Sequence, residues 1–148
     1  MYASVLLPTD GSEASNEAVA VGLDVAARFD AAAHAVYVVD ERFVAAEYDA
    51  AVEGAERDGE RALDAVGDLA AERGVAVEKH LRRGVPHREI VDAVADYGAD
   101  LVVMGTHGRS GLDRLVHLGS TTERVVRAAP VQVLTVPVDS TRDRSRSE

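Results

Sequence analysis

Five short apolar runs alternate with segments of helical periodicity, and that alternation restricts the chain to one kind of fold. The runs are residues 3–7 (ASVLL), 34–39 (HAVYVV), 75–82 (VAVEKHLR), 100–104 (DLVVM) and 131–136 (VQVLTV). A helix-length segment between two strands supplies the crossover that parallel pairing requires. Strands buried on both faces read as continuous apolar runs rather than as strict alternation. The expected fold is single-domain α/β, an open parallel five-stranded sheet with helices on both faces. No internal repeat and no second domain is visible.

The intervening segments carry start and stop signals. Asp10-Gly11-Ser12-Glu13 reads as a helix start, with Asp10 as a carboxylate cap and a glutamate three residues on. Ala14, Ala18, Val21, Val25 and Phe29 then recur at helical spacing. A second helix is expected over 48–73, with Ala51, Ala55, Ala62, Val66 and Leu69 as its stripe and Gly74 as its stop. Residues 75–82 mix apolar and charged side chains, which suits a strand nearer the sheet edge. Pro86 fits a first helical turn, followed by Ile90, Val91, Val94 and Tyr97 on one face and Gly98 at the end. Residues 121–129 form the last helix. The stretch 42–47 is expected to be a mobile loop. Residues 1–137 make up the domain, and the polar tail 138–148 is expected to be disordered.

Composition excludes several classes of function. With no cysteine, disulfides, thiolate metal sites and thiol catalysis are all ruled out. No signal peptide is recognised, and no apolar run approaches the ~20 residues of a membrane span, so a cytoplasmic location without membrane contact is expected. The net charge of −10, with Lys79 as the only lysine, argues against a nucleic-acid partner. It also repels free nucleotide, so a phosphate site has to be built locally, with a divalent cation. An acidic, lysine-poor, alanine-rich surface points to adaptation to high salt; an ordinary acidic protein is the alternative.

Ligands of open parallel sheets bind beyond the carboxyl ends of the strands. Three loops lie there: 8–12, 38–41 and 105–120. The chain lacks a Walker A loop, a GxGxxG turn after its first strand, a GxSxG elbow and a receiver-type lysine after its fifth strand. What it has is GTHGRSGLDRLVHLGS at 105–120, with glycines after a strand and Gly-Ser before a helix. Such an arrangement brings backbone N–H groups and a helix N-terminus against an anion. Asp10 either caps its helix or contacts a nucleotide. Ser120-Thr121-Thr122-Glu123 reads as a capping box, while the N–H groups of Ser120 and Thr121 remain available to phosphate. Glu123 opposes an anion there, and Arg109 and Arg114 offset it. His107 touches phosphate or simply faces solvent. The five histidines, His34, His80, His87, His107 and His117, show no HxxxH or HExxH spacing, so no metal ligand set is expected. Glu56 and Asp58, like Glu60 and Asp64, belong to a solvated helix face.

Four segments together resemble the universal stress protein family: PTDGSEAS at 8–15, VYVVDE at 36–41, LVVMGTHGRSGL at 101–112 and GSTTERVVRAAPVQVLTVP at 119–137. The resemblance implies a Rossmann-like sheet of strand order 3-2-1-4-5 and a homodimer formed through strand 131–136. An exposed apolar edge strand is a pairing liability unless covered, which agrees with that dimer. Nucleotide-binding members carry G-x2-G-x9-G-[ST]. By the resemblance, Asp10 contacts the nucleoside and the Val38 backbone the adenine. Gly105, Gly108, Gly119, Ser120 and Thr121 hold ribose and phosphates, and Pro8 and Thr9 shape the floor. Ser12, Met104, His107, Arg109 and Thr122 complete the candidate set. The implied ligand is ATP, or AMP or ADP, with Mg²⁺. Gly105-Thr-His-Gly108 fits the motif, but residues 109–118 number ten where the motif has nine. The extra residue is either absorbed as a bulge or turns the Gly119 and Ser120 amides out of line; the bulge is the reading adopted. The expected role is regulatory or sensory in stress, with at most slow hydrolysis, because no general base stands out. A dimeric interaction module that binds no nucleotide is the main alternative, and a phosphotransferase a weaker one.

Overall fold

The computed structural model describes residues 1–43, 49–106 and 118–137. The element order is β1 (Ser4–Pro8), α1 (Glu13–Phe29), β2 (Ala32–Asp40), a short 3-10 turn (Glu41–Phe43), α2 (Asp49–Glu72), β3 (Val77–Gly84), α3 (Pro86–Asp96), β4 (Leu101–Gly105), α4 (Ser120–Ala128) and β5 (Gln132–Val136). All pairings are parallel and the strand order is β3-β2-β1-β4-β5. Beyond Phe43, the loop expected at 42–47 lies outside the described residues, as does the tail 138–148.

Two cores sandwich the sheet. On one face, Val19, Leu23 and Ala26 of α1 and Ala62, Leu63, Val66 and Ala70 of α2 pack on Val5, Leu7, Tyr37, Val39 and Val103. On the other, Ile90, Ala93 and Val94 of α3 and Val125 of α4 cover Leu6, Val36, Val102 and Met104. Both faces of β1 and β4 are therefore buried, which is why their sequences are apolar throughout.

The stripe expected on α1 is rotated from the one that forms. Val21 and Phe29 are exposed, whereas Ser15, Ala18, Val19, Gly22, Leu23 and Ala26 face the sheet. The true face holds a serine and a glycine, residues that carry no hydropathy signal. A Cβ on Gly22 would overlap Leu7 and lie 3.2 Å from Val103 Cβ, so the helix approaches the sheet too closely for a side chain there. On α2, Ala51 is exposed while Ala62 and Val66 are buried as expected. Tyr97 is the C-cap of α3 and packs, partly buried, against the same core as Ile90 and Val94.

Pro8 is the last residue of β1, opposite Val36. Thr9 N–H bonds Val36 O at 2.9 Å, so alternation turns the backbone nitrogen of Pro8 toward β4. That nitrogen has no hydrogen to give, and the β1–β4 register ends at Leu6↔Val102. The two strands part beyond this point, at the position where the strand order reverses.

Candidate functional site

Four segments meet the carboxyl edge of the sheet around this parting: residues 8–15, the end of β2, the end of β4, and the start of α4. The first is a hydrogen-bonded knot. Gly11 adopts φ +84°, and Asp10 Oδ1 accepts from Ser12 N–H at 2.9 Å. Ser12 is the N-cap, its hydroxyl accepting from Ser15 N–H at 3.1 Å. Asp10 is therefore not the cap, because the turn it closes delays the helix until Glu13. Thr9, 6% exposed, contacts Ser15 Oγ at 3.0 Å and accepts from Gly11 N–H at 3.1 Å. Pro8 is buried beside it. These contacts make the floor rigid and hold Asp10, half-buried, at the rim.

Val38 lies two residues beyond Val36 on β2. Its backbone N–H and C=O turn the same way as those of Val36, toward β1, which has already ended. No hydrogen bond from Thr9 continues the ladder to Val38 among the described residues. A backbone donor and acceptor are thus presented side by side at the parting. Just beyond, Asp40 accepts from Arg42 in a two-pronged pair (2.8 and 3.0 Å), and the Arg42 guanidinium holds its carboxyl below the usual range.

The end of β4 is fastened to α4. Thr106 N–H bonds Val136 O at 3.1 Å, and Thr106 O accepts from Gly119 N–H at 2.7 Å. Thr122, 4% exposed, donates its hydroxyl to Gly105 O at 2.8 Å. Thr122 is thus a strut that seats α4 on β4, and Met104 is buried in the core below. The capping box expected at Ser120 does not form. Gly119 is the N-cap (φ −60°, ψ 154°) and has no side chain to cap with; Glu123 N–H makes the first intrahelical bond, to Gly119 O at 2.9 Å. The N–H groups of Ser120, Thr121 and Thr122 precede that bond, and among the described residues none has a partner. His107, Gly108, Arg109 and Arg114 lie outside the described residues, as does nearly all of the ten-residue segment 109–118.

A feature missed from the sequence adds positive charge at this edge. Partial burial, with the guanidinium groups of Arg124, Arg88 and Arg42, holds the His87 imidazole below its ordinary pKa. These arginines come from α4, α3 and the turn after β2. Only the fold brings them around one point.

A second grouping was also missed. In register, β2 and β3 place His34 beside Glu78, with His80 two residues on. His34 Nδ1 lies 3.0 Å from His80 Nε2 and 3.2 Å from Glu78 Oε2. No metal cluster was expected, because motif spacing along one segment is blind to ligands on neighbouring strands.

A five-stranded parallel sheet of this order, parted between its first and fourth strands, places the chain among Rossmann-like α/β proteins with a ligand crevice at the switch point. The model of the universal stress protein family matches residues 1–137, and the chain belongs to that family. It is 40% identical to the universal stress protein MJ0531 of Methanocaldococcus jannaschii, over 92% of this chain and 82% of that protein. Among solved structures it is similar to the universal stress protein UspA of Lactobacillus plantarum, with a TM-score of 0.77 and 29% identity over 91% of this chain and 97% of that one. A universal stress protein crystallised in complex with cAMP matches with a TM-score of 0.72 and 28% identity over 91% and 97% of the two chains. No helix among the described residues is long and apolar enough to cross a membrane.

Proposed function

We propose that this chain binds ATP or a related adenine nucleotide, AMP or ADP, with Mg²⁺ accompanying the phosphates, and serves as a regulator or sensor in the cytoplasmic stress response. The observation that carries the reading is the start of α4, where three successive N–H groups without partners among the described residues follow a glycine N-cap beside the parted strands. An anion is the natural occupant of such a helix end. Arg88 and Arg124 add local positive charge to a chain of net charge −10, while Arg42 is paired with Asp40. The backbone N–H and C=O of Val38 match the donor–acceptor edge of adenine, and Asp10 stands at the rim for the nucleoside. The solved relative that holds cAMP supports the ligand class.

The Thr106–Gly119 hydrogen bond bears on the extra residue in 109–118. The segment leaves and returns through a bonded base, so an added residue can be taken up between its ends without displacing Gly119. This favours the nucleotide-binding reading over an interaction module. Catalysis is not required of it. The thermal midpoint measured with saturating MgATP in molar KCl, a solvent suited to the acidic surface, tests the reading. At 100 times Kd the ligand adds about 2.7 kcal/mol, which corresponds to a rise of several degrees. An unchanged midpoint at millimolar nucleotide would count against it.

The proposed assembly is a homodimer through residues 131–136. β5 is an edge strand of the sheet, and Leu134 is 40% exposed on it. A second β5 covers both the apolar side chain and the open backbone edge. Light scattering at micromolar concentration should give twice the chain mass, with Leu134→Lys shifting it toward the monomer; a monomeric mass for the unaltered chain would overturn the assembly.

A further inference from the structure

We propose that His34, Glu78 and His80 form a binding site for a divalent transition metal, best suited to Zn²⁺, on the α3 side of the paired strands β2 and β3, in the rows of Leu6 and Pro8. The three ligand atoms lie within 4.8 Å of one another. In a tetrahedral Zn²⁺ site with bonds of about 2.0–2.1 Å, ligand atoms stand about 3.3 Å apart. The distances from His34 Nδ1, 3.0 Å to His80 Nε2 and 3.2 Å to Glu78 Oε2, are already close to that spacing. A neutral imidazole nitrogen has one hydrogen or one lone pair, so His34 Nδ1 cannot serve both neighbours well as a hydrogen-bonding atom. A cation between them satisfies all three at once. Two imidazoles and one carboxylate form a recognised Zn²⁺ ligand set, with a fourth position for water.

The surroundings hold the ligands in place. His34 is 9% exposed, and its position on β2 beside β3 fixes the register of all three residues. The His80 ring stacks on Tyr97 with centroids 3.8 Å apart, and the Tyr97 ring also lies parallel to that of His34. Arg82 is the nearby cation on the same face. Its guanidinium is engaged by Glu89 and Asp96, both at 2.9 Å, and by Tyr97 Oη at 3.1 Å, so its charge is compensated. Lys79 turns to the other face and pairs with Asp64 at 3.3 Å. The Glu78 side chain is 72% exposed, which leaves it free to swing onto an incoming ion and leaves the ion a route in.

Titration of the untagged full chain with Zn²⁺ against a chromophoric chelator, without nucleotide, tests the site. We expect one equivalent bound at micromolar affinity or tighter, weakened at least about tenfold by His80→Gln and by Glu78→Gln. Glu78→Gln alters an exposed side chain, so its result stands even if the histidine variant folds poorly. Co²⁺ in place of Zn²⁺ should give the visible absorption bands of tetrahedral nitrogen and oxygen ligation, and these should be lost in both variants. Binding no tighter than millimolar, or binding that Glu78→Gln leaves within about threefold, would overturn the proposal.

Discussion

Gly22→Val is expected to destabilise the protein by about 3 kcal/mol, a large part of the ~5–15 kcal/mol that holds a domain folded. Gly22 sits on the buried face of α1, and a Cβ there meets Leu7 and Val103, both fully buried. The Val103 contact is to its Cβ, at 3.2 Å, and a Cβ moves only with its strand. Valine adds two methyl groups beyond that, so α1 has to lift from the sheet or leave Leu7 off-rotamer. Chemical denaturation should show a lower midpoint, and the thermal midpoint should fall by roughly 6–12 °C. Gly54→Ala on α2 provides the contrast: its added Cβ meets only an Arg57 nitrogen at 4.0 Å, so better helix propensity should give a gain of up to about 1 kcal/mol. Equal effects at the two glycines would contradict the packing described for α1.

Ser120→Pro is expected to weaken nucleotide binding about 10- to 100-fold while leaving the fold intact. Ser120 is the first residue of α4, the helix position that tolerates proline best. The residue before a proline is confined to extended conformations, and Gly119 already has φ −60° and ψ 154°. The substitution therefore removes one N–H and one hydroxyl from the proposed phosphate site without disturbing Thr122, which holds α4 to Gly105. A hydrogen bond to a charged group contributes ~1.5–3 kcal/mol, and each ~1.4 kcal/mol is a factor of ten in affinity. Titration of both proteins with a fluorescent ATP analogue, beside matched circular dichroism spectra, measures the effect. Unchanged affinity would move the phosphates away from the start of α4.

The sheet was legible because β1 and β4 are buried on both faces, and only uninterrupted apolar sequence meets that demand. The face of α1 was not. Its alanines and valines surround the helix, so the phase is set by what is small enough to touch the sheet, as at Gly22, and by Ser15, whose hydroxyl is tied to Thr9 and Ser12. Both helix caps were misplaced by one or two residues for a shared reason. Asp10 spends a carboxylate oxygen on the preceding turn, and Gly119 ends in a bond to Thr106. Sequence spacing shows which residues are present at a cap but not which backbone group each one reaches. The proposed anion site gains one donor from the difference, since in a capping box the Glu123 carboxylate would have taken up the Ser120 N–H that the glycine cap leaves open.

Long-range groupings were out of reach of one-dimensional motifs. His34 and His80 meet only because β2 and β3 pair in the register Val36↔His80, and Arg42, Arg88 and Arg124 converge on His87 from three elements. In each case the chemistry is ordinary, and the information lies in the topology.

Equilibrium dialysis of labelled ATP against the purified full chain, with and without Mg²⁺ in molar KCl, tests the central claim most directly. The account predicts saturable binding of one nucleotide per chain below millimolar concentration, strengthened by Mg²⁺ and displaced by unlabelled ADP or AMP. Binding that stays linear and unsaturated to millimolar ATP, in a protein whose circular dichroism shows it folded, would contradict it.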